Sequence, residues 1–201
     1  MIEVEKKFRL TDAQHESLIK DAEFVSEKTF TDTYYDTADY QLTTKDVWLR
    51  QRGENFELKV AVQFGYDRPA DQYDEITDIK AIREILNIKA DTGDMAKDLA
   101  AQGIKPFIAC QTTRRKYKFD EFTLADMDIV KYEDDSTYTL AEIECMVENQ
   151  SDVPAAVERI HALAQTHGCT IEPIRGKVVQ YLMNHKRDHF DALVKAGVIK
   201  E

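Results

Sequence analysis

The sequence predicts an α+β protein in which eight antiparallel strands curl into a barrel, or tunnel, with a charged interior and helices packed outside. Three observations support this fold class. Short turns join strand-like segments, which is typical of antiparallel neighbours. Nearly every strand carries charge on one face and apolar side chains on the other. The helices carry apolar stripes that need a surface to pack on, and the apolar strand faces provide it.

Composition narrows the class of protein. The chain has 201 residues, with 27 Lys and Arg against 38 Asp and Glu. No Pro/Gly/Ser-rich stretch divides it, so we expect one domain over residues 1–201. The net charge of -11 argues against nucleic-acid binding, which needs a basic surface. No segment looks like a membrane helix or a signal sequence, so we expect a cytoplasmic monomer with no membrane partner.

Several common kinds of site are not indicated. Cys110, Cys145 and Cys169 are widely spaced and odd in number, so we expect buried, reduced thiols rather than disulfides or a zinc site. The five histidines show no metal-ligand spacing. A Gly-x-x-x-x-Gly-Lys loop is absent from the sequence, which excludes nucleotide binding by a P-loop.

The first half of the chain alternates strands with one helix. Residues 1–10 predict a strand, and Thr11-Asp12 supplies the N-cap of a helix over 12–20. A Thr- and aromatic-rich strand follows over 23–37. The remaining strands of this half are predicted over 47–52, 56–62 and 71–76, the first two of them joined by the turn Gly53-Glu54-Asn55.

The second half begins with two helices. Thr77 is expected to cap a helix over 78–88, with Ile79, Ile82, Ile85 and Leu86 as its apolar stripe. A second helix over 94–102 ends at Gly103. Strands are then predicted over 106–120, 121–131 and 138–147. Pro154 begins a helix that reaches residue 167, and two further helices are predicted over 176–186 and 189–196.

The period-two rule assigns a charged face to almost every strand. These faces comprise Glu3, Glu5 and Lys7; Trp48, Arg50 and Arg52; Glu57 and Lys59; Asp71, Tyr73 and Glu75; Arg114, Lys116 and Lys118; Asp126 and Asp128; and Glu142 and Glu144. An ordinary sheet would turn such faces toward water. Like-charge doublets cost stability unless a ligand or counter-charge compensates. We therefore expect most of these charges inside the barrel, with Lys116 and Lys118 at its mouth or on the surface.

A lumen lined by acids on some strands and bases on others suits a metal-bound polyphosphate. Mg²⁺ prefers oxygen ligands and is held by a few carboxylates together with substrate phosphates. The candidate metal ligands are Glu3, Glu5, Asp126, Glu142 and Glu144. The candidate phosphate ligands are Arg50, Arg52, Lys59, Arg114 and Lys177, whose arginines can bind in bidentate fashion.

An ordered set of motifs resembles a known family. Glu3-Val4-Glu5-Lys6-Lys7 resembles the Glu-x-Glu-x-Lys signature of the CYTH superfamily, the triphosphate tunnel metalloenzymes. The other motifs resemble those of the thiamine triphosphatases within it. They are Asp32-Thr33-Tyr34-Tyr35-Asp36-Thr37, Trp48-Leu49-Arg50, Glu57-Leu58-Lys59, Glu142-Ile143-Glu144 and Lys177-Val178-Val179-Gln180-Tyr181-Leu182.

The resemblance implies an eight-stranded tunnel, the same metal and phosphate ligands, and further roles. Lys7 and Glu75 match additional tunnel positions. Lys59 with Tyr34 matches a pair implicated in the chemistry, although a one-residue shift would exchange Tyr34 with Tyr35. Trp48 matches the aromatic on which a thiamine thiazolium stacks, and cation–π attraction gives that contact a physical basis.

The expected activity is Mg²⁺-dependent hydrolysis of thiamine triphosphate to thiamine diphosphate and phosphate, with Mn²⁺ as an alternative ion. The small-molecule triphosphate is the expected partner. Alternatives are an inorganic triphosphatase, an adenylate cyclase, which needs a purine site that the sequence does not reveal, and a polyphosphate-binding module without catalysis. A barrel for a lipophilic ligand needs an apolar lumen, which the charged doublets oppose.

Overall fold

The computed structural model describes residues 2–201, which form eight β-strands and six α-helices. The strands are β1 (Ile2–Phe8), β2 (Glu23–Asp36), β3 (Val47–Arg52), β4 (Asn55–Ala61), β5 (Asp71–Ile76), β6 (Lys105–Lys118), β7 (Thr123–Tyr132) and β8 (Thr137–Val147). The helices are α1 (Asp12–Lys20), α2 (Ile79–Ile85), α3 (Met95–Ala101), α4 (Val153–Thr166), α5 (Lys177–His185) and α6 (Arg187–Ala196). Short 3-10 helices cover Thr43–Lys45 and Gln150–Asp152. Met1, the start of the predicted first strand, lies outside the described residues.

The strands close into a barrel in the order β1-β5-β4-β3-β2-β6-β7-β8, and every pairing is antiparallel. Closure is made by β8 against β1, where Glu5 lies opposite Glu144. The predicted fold class is confirmed. Two register shifts interrupt the long β2–β6 pairing, one of them between Tyr34 and Tyr35, and such shifts bend a strand.

Local signals position most of the turns and caps. The Thr11 side chain accepts from the backbone N–H of Gln14, whose own side chain accepts from the Thr11 N–H, which is a capping box at the start of α1. Gly53 turns the β3–β4 hairpin with a φ of 60°, a conformation that glycine adopts without steric cost.

The predicted helix over 78–88 is wrong in its cap, its length and its stripe. Asp78, not Thr77, is the N-cap, because its carboxylate accepts from the Ala81 N–H at 3.0 Å. The helix ends at Ile85. Only Ile82 of the predicted stripe is fully buried, whereas Ile79 is 40% and Ile85 50% exposed. Because α2 has only two turns, it buries one central side chain, Ile82, against the barrel. Ile79 and Ile85 lie at the edge of that contact.

The hydrophobic core lies between the outward face of the barrel and the helices. Val4 and Phe8 of β1 and Ile143 of β8 pack with Ile160 and Ala164 of α4 in one buried cluster. Fully burying one such side chain stabilises the fold by about 1.5–3 kcal/mol. The apolar strand faces therefore point at helices, and the charged faces are left to the lumen.

Two further clusters cover other parts of the barrel. Helices α2 and α3 place Ile82 and Leu99 over Leu49 and Leu58 of the β3–β4 hairpin. Helices α5 and α6 contribute Leu182, Phe190 and Leu193 to a cluster with Ile108, Val130 and Tyr34. The predicted buried, unpaired state of Cys110, Cys145 and Cys169 is confirmed. None of the helices within residues 2–201 has the length and apolar character to cross a membrane.

Candidate active site

The acidic side chains of β1 point into the barrel and line its cavity. Glu3 and Glu5 are both more than nine-tenths buried. Lys59 reaches them from β4: its Nζ binds the Glu3 carboxylate, lies 3.0 Å from Glu75 Oε1 and lies 3.8 Å from Glu5 Oε2. One ammonium therefore joins acids from β1 and β5, the two strands that follow β4 in the barrel.

The ionisation of this group differs from residue to residue. Burial, followed by the charge of Glu5, raises the pKa of Glu3 to about 8. The pKa of Glu5 is lowered to about 2 by Lys7 and Lys59, in spite of its burial. Burial opposes the charge of Lys59, but Glu5 and Glu3 outweigh it and raise the Lys59 pKa. Of the two acids on β1, Glu5 therefore loses its proton more readily than Glu3.

Lys7 ties β1 to β5 at the same level of the tunnel. Its Nζ binds the Glu5 carboxylate and lies 2.6 Å from Asp71 Oδ2. The chain passes close by at Gly176, where a Cβ would lie 3.2 Å from Lys7 Cε. Glycine is the residue that allows this approach, and it leads directly into α5.

On the opposite wall, Arg114 of β6 binds acids of β7 and β8. Its guanidinium makes two parallel bonds to Asp128, of 2.7 and 2.6 Å, binds Asp126, and lies 3.1 Å from Glu142 Oε2. Paired bonds of this kind combine strength with fixed geometry. Burial, followed by the charge of Glu5, raises the pKa of Glu142 to about 7.

Lys116 belongs to the same wall rather than to the outer surface. Its Nζ lies 3.0 Å from Asp126 Oδ1 and 2.7 Å from Glu144 Oε1. Lys116 was predicted at the mouth of the barrel or on its surface. The surface position is wrong, because antiparallel pairing sets Lys116 directly opposite Asp126. Lys118 is exposed, as expected for the surface.

Asp32 of β2 is the acid of a third wall, and it is completely buried. Its oxygens accept from Arg52 Nε at 2.7 Å and Nη2 at 2.9 Å, and from Lys177 Nζ at 2.7 Å. Lys177 also donates to Thr112 Oγ1 at 3.0 Å. Since Lys177 is the first residue of α5, this carboxylate positions both a strand cation and a helix cation, and these cations lower the pKa of Asp32 despite its burial.

Phe30, two residues before Asp32 on the same face, lies under several of the cations. Its ring centroid is 3.9 Å from Arg52 Cζ, 5.6 Å from Lys177 Nζ and 5.8 Å from Arg114 Cζ. The negative face of an aromatic ring attracts cations within about 6 Å. Phe30 is therefore a shared platform for three basic groups of the tunnel.

Tyr34, and not Tyr35, faces the central cavity. Tyr34 stands opposite Arg50 in the β2–β3 register and lines the central cavity. Tyr35 points the other way, where its hydroxyl donates to Gln51 Oε1 at 2.7 Å. Arg50 is held by Glu57, whose Oε2 accepts from Arg50 Nε at 2.8 Å.

Trp48 lines the cavity, and its indole is hydrogen-bonded to the buried carboxylate of Asp46. The indole Nε1 donates to Asp46 Oδ1 at 2.8 Å. Asp46 also accepts from Arg68 Nη1 at 2.8 Å and from the Tyr73 hydroxyl at 3.0 Å. The orientation of the Trp48 ring is thus linked to Tyr73 of β5 through two hydrogen bonds to Asp46.

These side chains surround a cavity of about 640 Å³. The predicted site residues that line it are Glu3, Glu5, Lys7, Tyr34, Trp48, Arg50, Lys59, Arg114, Glu142 and Lys177. The other four, Arg52, Glu75, Asp126 and Glu144, are joined to the lumen through ion pairs. The fold therefore brings all the predicted residues to the cavity or into ion pairs along its walls.

Several charged residues of the tunnel were not among the predicted site residues. They are Asp32, Asp46, Glu57, Arg68, Asp71, Asp128 and Arg175. Strand periodicity could have found Asp32, which is in phase with Tyr34, and it already placed Glu57, Asp71 and Asp128 on charged faces. Asp46, Arg68 and Arg175 lie outside the strands, where no periodicity exists to indicate their direction.

The acids suit a hard divalent cation by their chemistry, because carboxylate oxygens are the ligands that Mg²⁺ prefers. Asp126 Oδ1 is buried without a well-directed hydrogen bond, although Lys116 Nζ is 3.0 Å away. Across residues 2–201, no three acidic, His or Cys side chains converge in a geometry that would hold an ion. Lysines and arginines bind these carboxylates instead. The donor set fits Mg²⁺, and binding it requires some of the ion pairs to part.

Fold and site together define a class of protein, a closed antiparallel barrel whose buried lumen alternates acids and bases. The chain belongs to the CYTH domain family, whose model matches residues 1–169. Curated relatives include the thiamine-triphosphatase of Homo sapiens, 29% identical over 217 residues, and that of Macaca fascicularis, 28% identical over 215 residues. Each alignment covers all of this chain and 93% of the relative.

Solved structures share the fold. The PH1819 protein from Pyrococcus horikoshii OT3 superposes with a TM-score of 0.65 at 19% identity, covering 91% of this chain and 99% of that one. HpAC1 from Hippeastrum, for which a dominant triphosphatase activity is described, gives 0.57 at 15% identity, covering 89% and 93%. At these identities the likeness supports the barrel fold alone.

Proposed function

We propose that this protein is a metal-dependent triphosphate hydrolase that converts thiamine triphosphate to thiamine diphosphate and phosphate. The observation that carries the proposal is the cavity lined by basic side chains from β1, β3, β4, β6 and α5 together with carboxylates from β1, β5, β7 and β8. The name of the full-length curated relatives supports the choice of substrate.

The basic residues are proposed to hold the triphosphate. They are Lys7, Arg50, Arg52, Lys59, Arg114 and Lys177, each of which has a carboxylate partner within the chain. Phosphoryl transfer depends chiefly on positioning and on neutralising charge. Preformed ion pairs keep these side chains oriented, so the substrate replaces carboxylates that are already aligned with them.

Lys59 and Tyr34 are proposed as the catalytic residues. Water attacks the terminal phosphorus, the bond to the bridging oxygen breaks, and its electron pair stays with the departing diphosphate. Lys59, kept charged by Glu5 and Glu3, stabilises the developing negative charge, and Glu75 at 3.0 Å orients its ammonium. Tyr34, opposite Arg50, offers a hydroxyl that donates to a phosphate oxygen. A tunnel carboxylate accepts the proton of the attacking water.

The proposed metal ligands are Glu3, Glu5, Asp126, Glu142 and Glu144. Mg²⁺, or Mn²⁺ in its place, would supply Lewis-acid neutralisation of the phosphate oxygens. Trp48 is proposed to stack on the thiazolium of thiamine, because a cation over an indole face gains roughly 0.5–2 kcal/mol. The proposed setting is a cytoplasmic monomer with one domain over residues 1–201.

The direct test is phosphate release from thiamine triphosphate, inorganic tripolyphosphate and ATP, each with Mg²⁺ and with Mn²⁺. We expect thiamine triphosphate with Mg²⁺ to have the highest kcat/KM. Glu142→Gln should abolish turnover and leave triphosphate binding measurable. Absence of phosphate release from every substrate with either ion would overturn the proposal.

Trp48→Ala separates thiamine triphosphate from inorganic tripolyphosphate as the substrate. We expect a large loss of kcat/KM on thiamine triphosphate and little change on tripolyphosphate, whereas Trp48→Phe, which keeps an aromatic face, should retain most of the activity. Equal losses on both substrates would favour an inorganic triphosphatase.

One observation favours a second candidate, a polyphosphate-binding module without catalysis. The carboxylates are engaged by lysines and arginines, and within the described part of the chain they do not converge as a metal centre. Such a module would bind tripolyphosphate with and without Mg²⁺ and release no phosphate. The same assay distinguishes it from the hydrolase.

A further inference from the structure

Most tunnel cations already have an acidic partner. Lys7, Arg50, Arg52, Lys59, Arg114, Lys116 and Lys177 each lie within salt-bridge distance of a carboxylate. Arg175 lines the same cavity, but among residues 2–201 no carboxylate oxygen lies within 4.0 Å of its guanidinium. Arg175 is therefore a tunnel cation without a counter-charge.

The Arg175 side chain is also partly desolvated. Its Nε is buried and has no hydrogen-bond partner within the described residues. Lys6 and Lys200 line the cavity without a carboxylate partner too, but neither leaves a buried nitrogen unsatisfied. A buried donor on a charged group is costly unless an acceptor completes it. The arrangement calls for an anion supplied from outside the chain.

The backbone around Arg175 is held firmly in the tunnel. The Tyr138 hydroxyl donates to the Arg175 carbonyl oxygen at 2.7 Å. The next residue, Gly176, packs against Lys7, and Lys177 binds Asp32. A guanidinium carried by such a segment is preorganised, so little conformational entropy is lost when it binds.

The position of the guanidinium indicates which part of a substrate it meets. Its Cζ lies 5.8 Å from the centroid of the Phe190 ring. Phe190 belongs to the apolar cluster against which Trp48 packs. Arg175 and Trp48 therefore border the same apolar cluster, and Trp48 is the residue proposed to bind the organic group.

We propose that Arg175 is a further substrate-binding residue, which binds a non-transferred phosphate of the triphosphate, the one nearest the organic group. The inference rests on the proposed function, since a triphosphate is the anion assumed. A guanidinium suits this role because its planar donors bind two phosphate oxygens at once. A contact to a phosphate that does not react strengthens ground state and transition state alike, so it acts on KM more than on kcat.

The test uses the full chain and inorganic tripolyphosphate as the probe, with binding measured by calorimetry in the absence of divalent metal. Arg175→Gln should weaken binding roughly 10-fold and reduce its dependence on salt, because one charge is lost. Arg175→Lys should retain part of the affinity. Arg187→Gln is the matched control: Arg187 also lies near the Phe190 ring, at 5.0 Å, but is exposed and paired with Asp191 and Glu201. It should bind like the wild type.

The outcomes separate this inference from the proposed function. Unchanged tripolyphosphate affinity in a folded Arg175→Gln, verified by its thermal transition, overturns the role of Arg175 alone. Weaker binding in that variant, with no phosphate release by the wild type, supports Arg175 and overturns the hydrolase. If thiamine triphosphate is turned over, a loss in kcat at unchanged KM overturns the assignment to a non-transferred phosphate. A wild type that binds no tripolyphosphate without metal overturns the role of Arg175, whereas the hydrolase is overturned only by absence of phosphate release with Mg²⁺ and with Mn²⁺.

Discussion

The indole of Trp48 donates a 2.8 Å hydrogen bond to the carboxylate of Asp46, a fully buried residue two positions earlier. Asp46 has a φ of 58°, in the left-handed region, and this turn of the backbone aims its carboxylate back at the ring. Arg68 and Tyr73 bind the same carboxylate. The aromatic surface at the cavity is thus positioned by a polar cluster of Asp46, Arg68 and Tyr73.

Asp46→Asn should disturb the organic end of the site selectively. Asn tolerates a positive φ but removes the charge that Arg68 needs. We expect KM for thiamine triphosphate to rise roughly 10-fold, the lower end of the about 1.5–3 kcal/mol that a charged hydrogen bond contributes, with tripolyphosphate hydrolysis nearly unchanged. Asp39→Asn, in the exposed part of the same connection, is the control. Equal effects on both substrates would contradict the positioning role.

Phe30→Leu tests the aromatic platform beneath the tunnel cations. Leucine keeps the apolar bulk and loses the electrostatic attraction for Arg52, Lys177 and Arg114, which is about 0.5–2 kcal/mol for a cation over a ring. We expect tripolyphosphate affinity to fall roughly 3- to 10-fold in calorimetry. Phe24→Leu is the matched control, because Phe24 is on the same strand but packs outside against Tyr117. Wild-type affinity in Phe30→Leu would exclude the platform.

Mg²⁺ binding should strengthen as pH rises through 7 to 8. Burial raises the pKa of Glu3 to about 8 and of Glu142 to about 7, and a carboxyl must lose its proton to become a ligand. Between pH 6.5 and 8.5 we expect the affinity to increase roughly 10- to 100-fold. Calorimetry in buffers of different ionisation enthalpy would measure the released protons. An affinity independent of pH would contradict this proposed ligand set.

His189 should make the fold less stable in mild acid. Burial lowers its pKa to about 4, although Asp36 acts in the opposite direction. In the unfolded chain this histidine binds a proton as the pH falls below about 6.5, whereas in the folded chain it stays neutral until about pH 4. Its contribution to stability is therefore complete above pH 6.5 and is lost as the pH drops toward 4. We expect about 2 kcal/mol less stability from this residue at pH 5 than at pH 7.

Urea unfolding of the wild type and of His189→Asn measures this difference. The variant should be less stable at pH 7, because Thr43 Oγ1 loses the His189 Nε2 that lies 2.7 Å away, but it should lose less between pH 7 and 5. His185→Asn, at a partly exposed position on α5, is the control and should keep the wild-type slope. A steep slope in His189→Asn would assign the acid sensitivity to other groups.

The faces of the strands were predictable because alternation is local. Glu3 and Glu5 share a side of β1 whatever the rest of the chain does. Their lumen orientation was predicted from the like-charge doublets and from the apolar helix stripes that need the other face. The alternation rule failed to choose between Tyr34 and Tyr35, which always face opposite ways. The β2–β3 register, with Tyr34 opposite Arg50, made that choice.

The eight strands, their polar and apolar faces and the chemical types in the lumen could be predicted from the amino-acid sequence, since each depends on neighbours a few residues apart. Which charges meet could not be predicted in this way. Asp32 and Lys177 are 145 positions apart, and Asp46 and Arg68 lie in connections without periodicity. Those contacts depend on strand register, barrel closure and the entry of α5, which bring distant segments together and which no local pattern encodes.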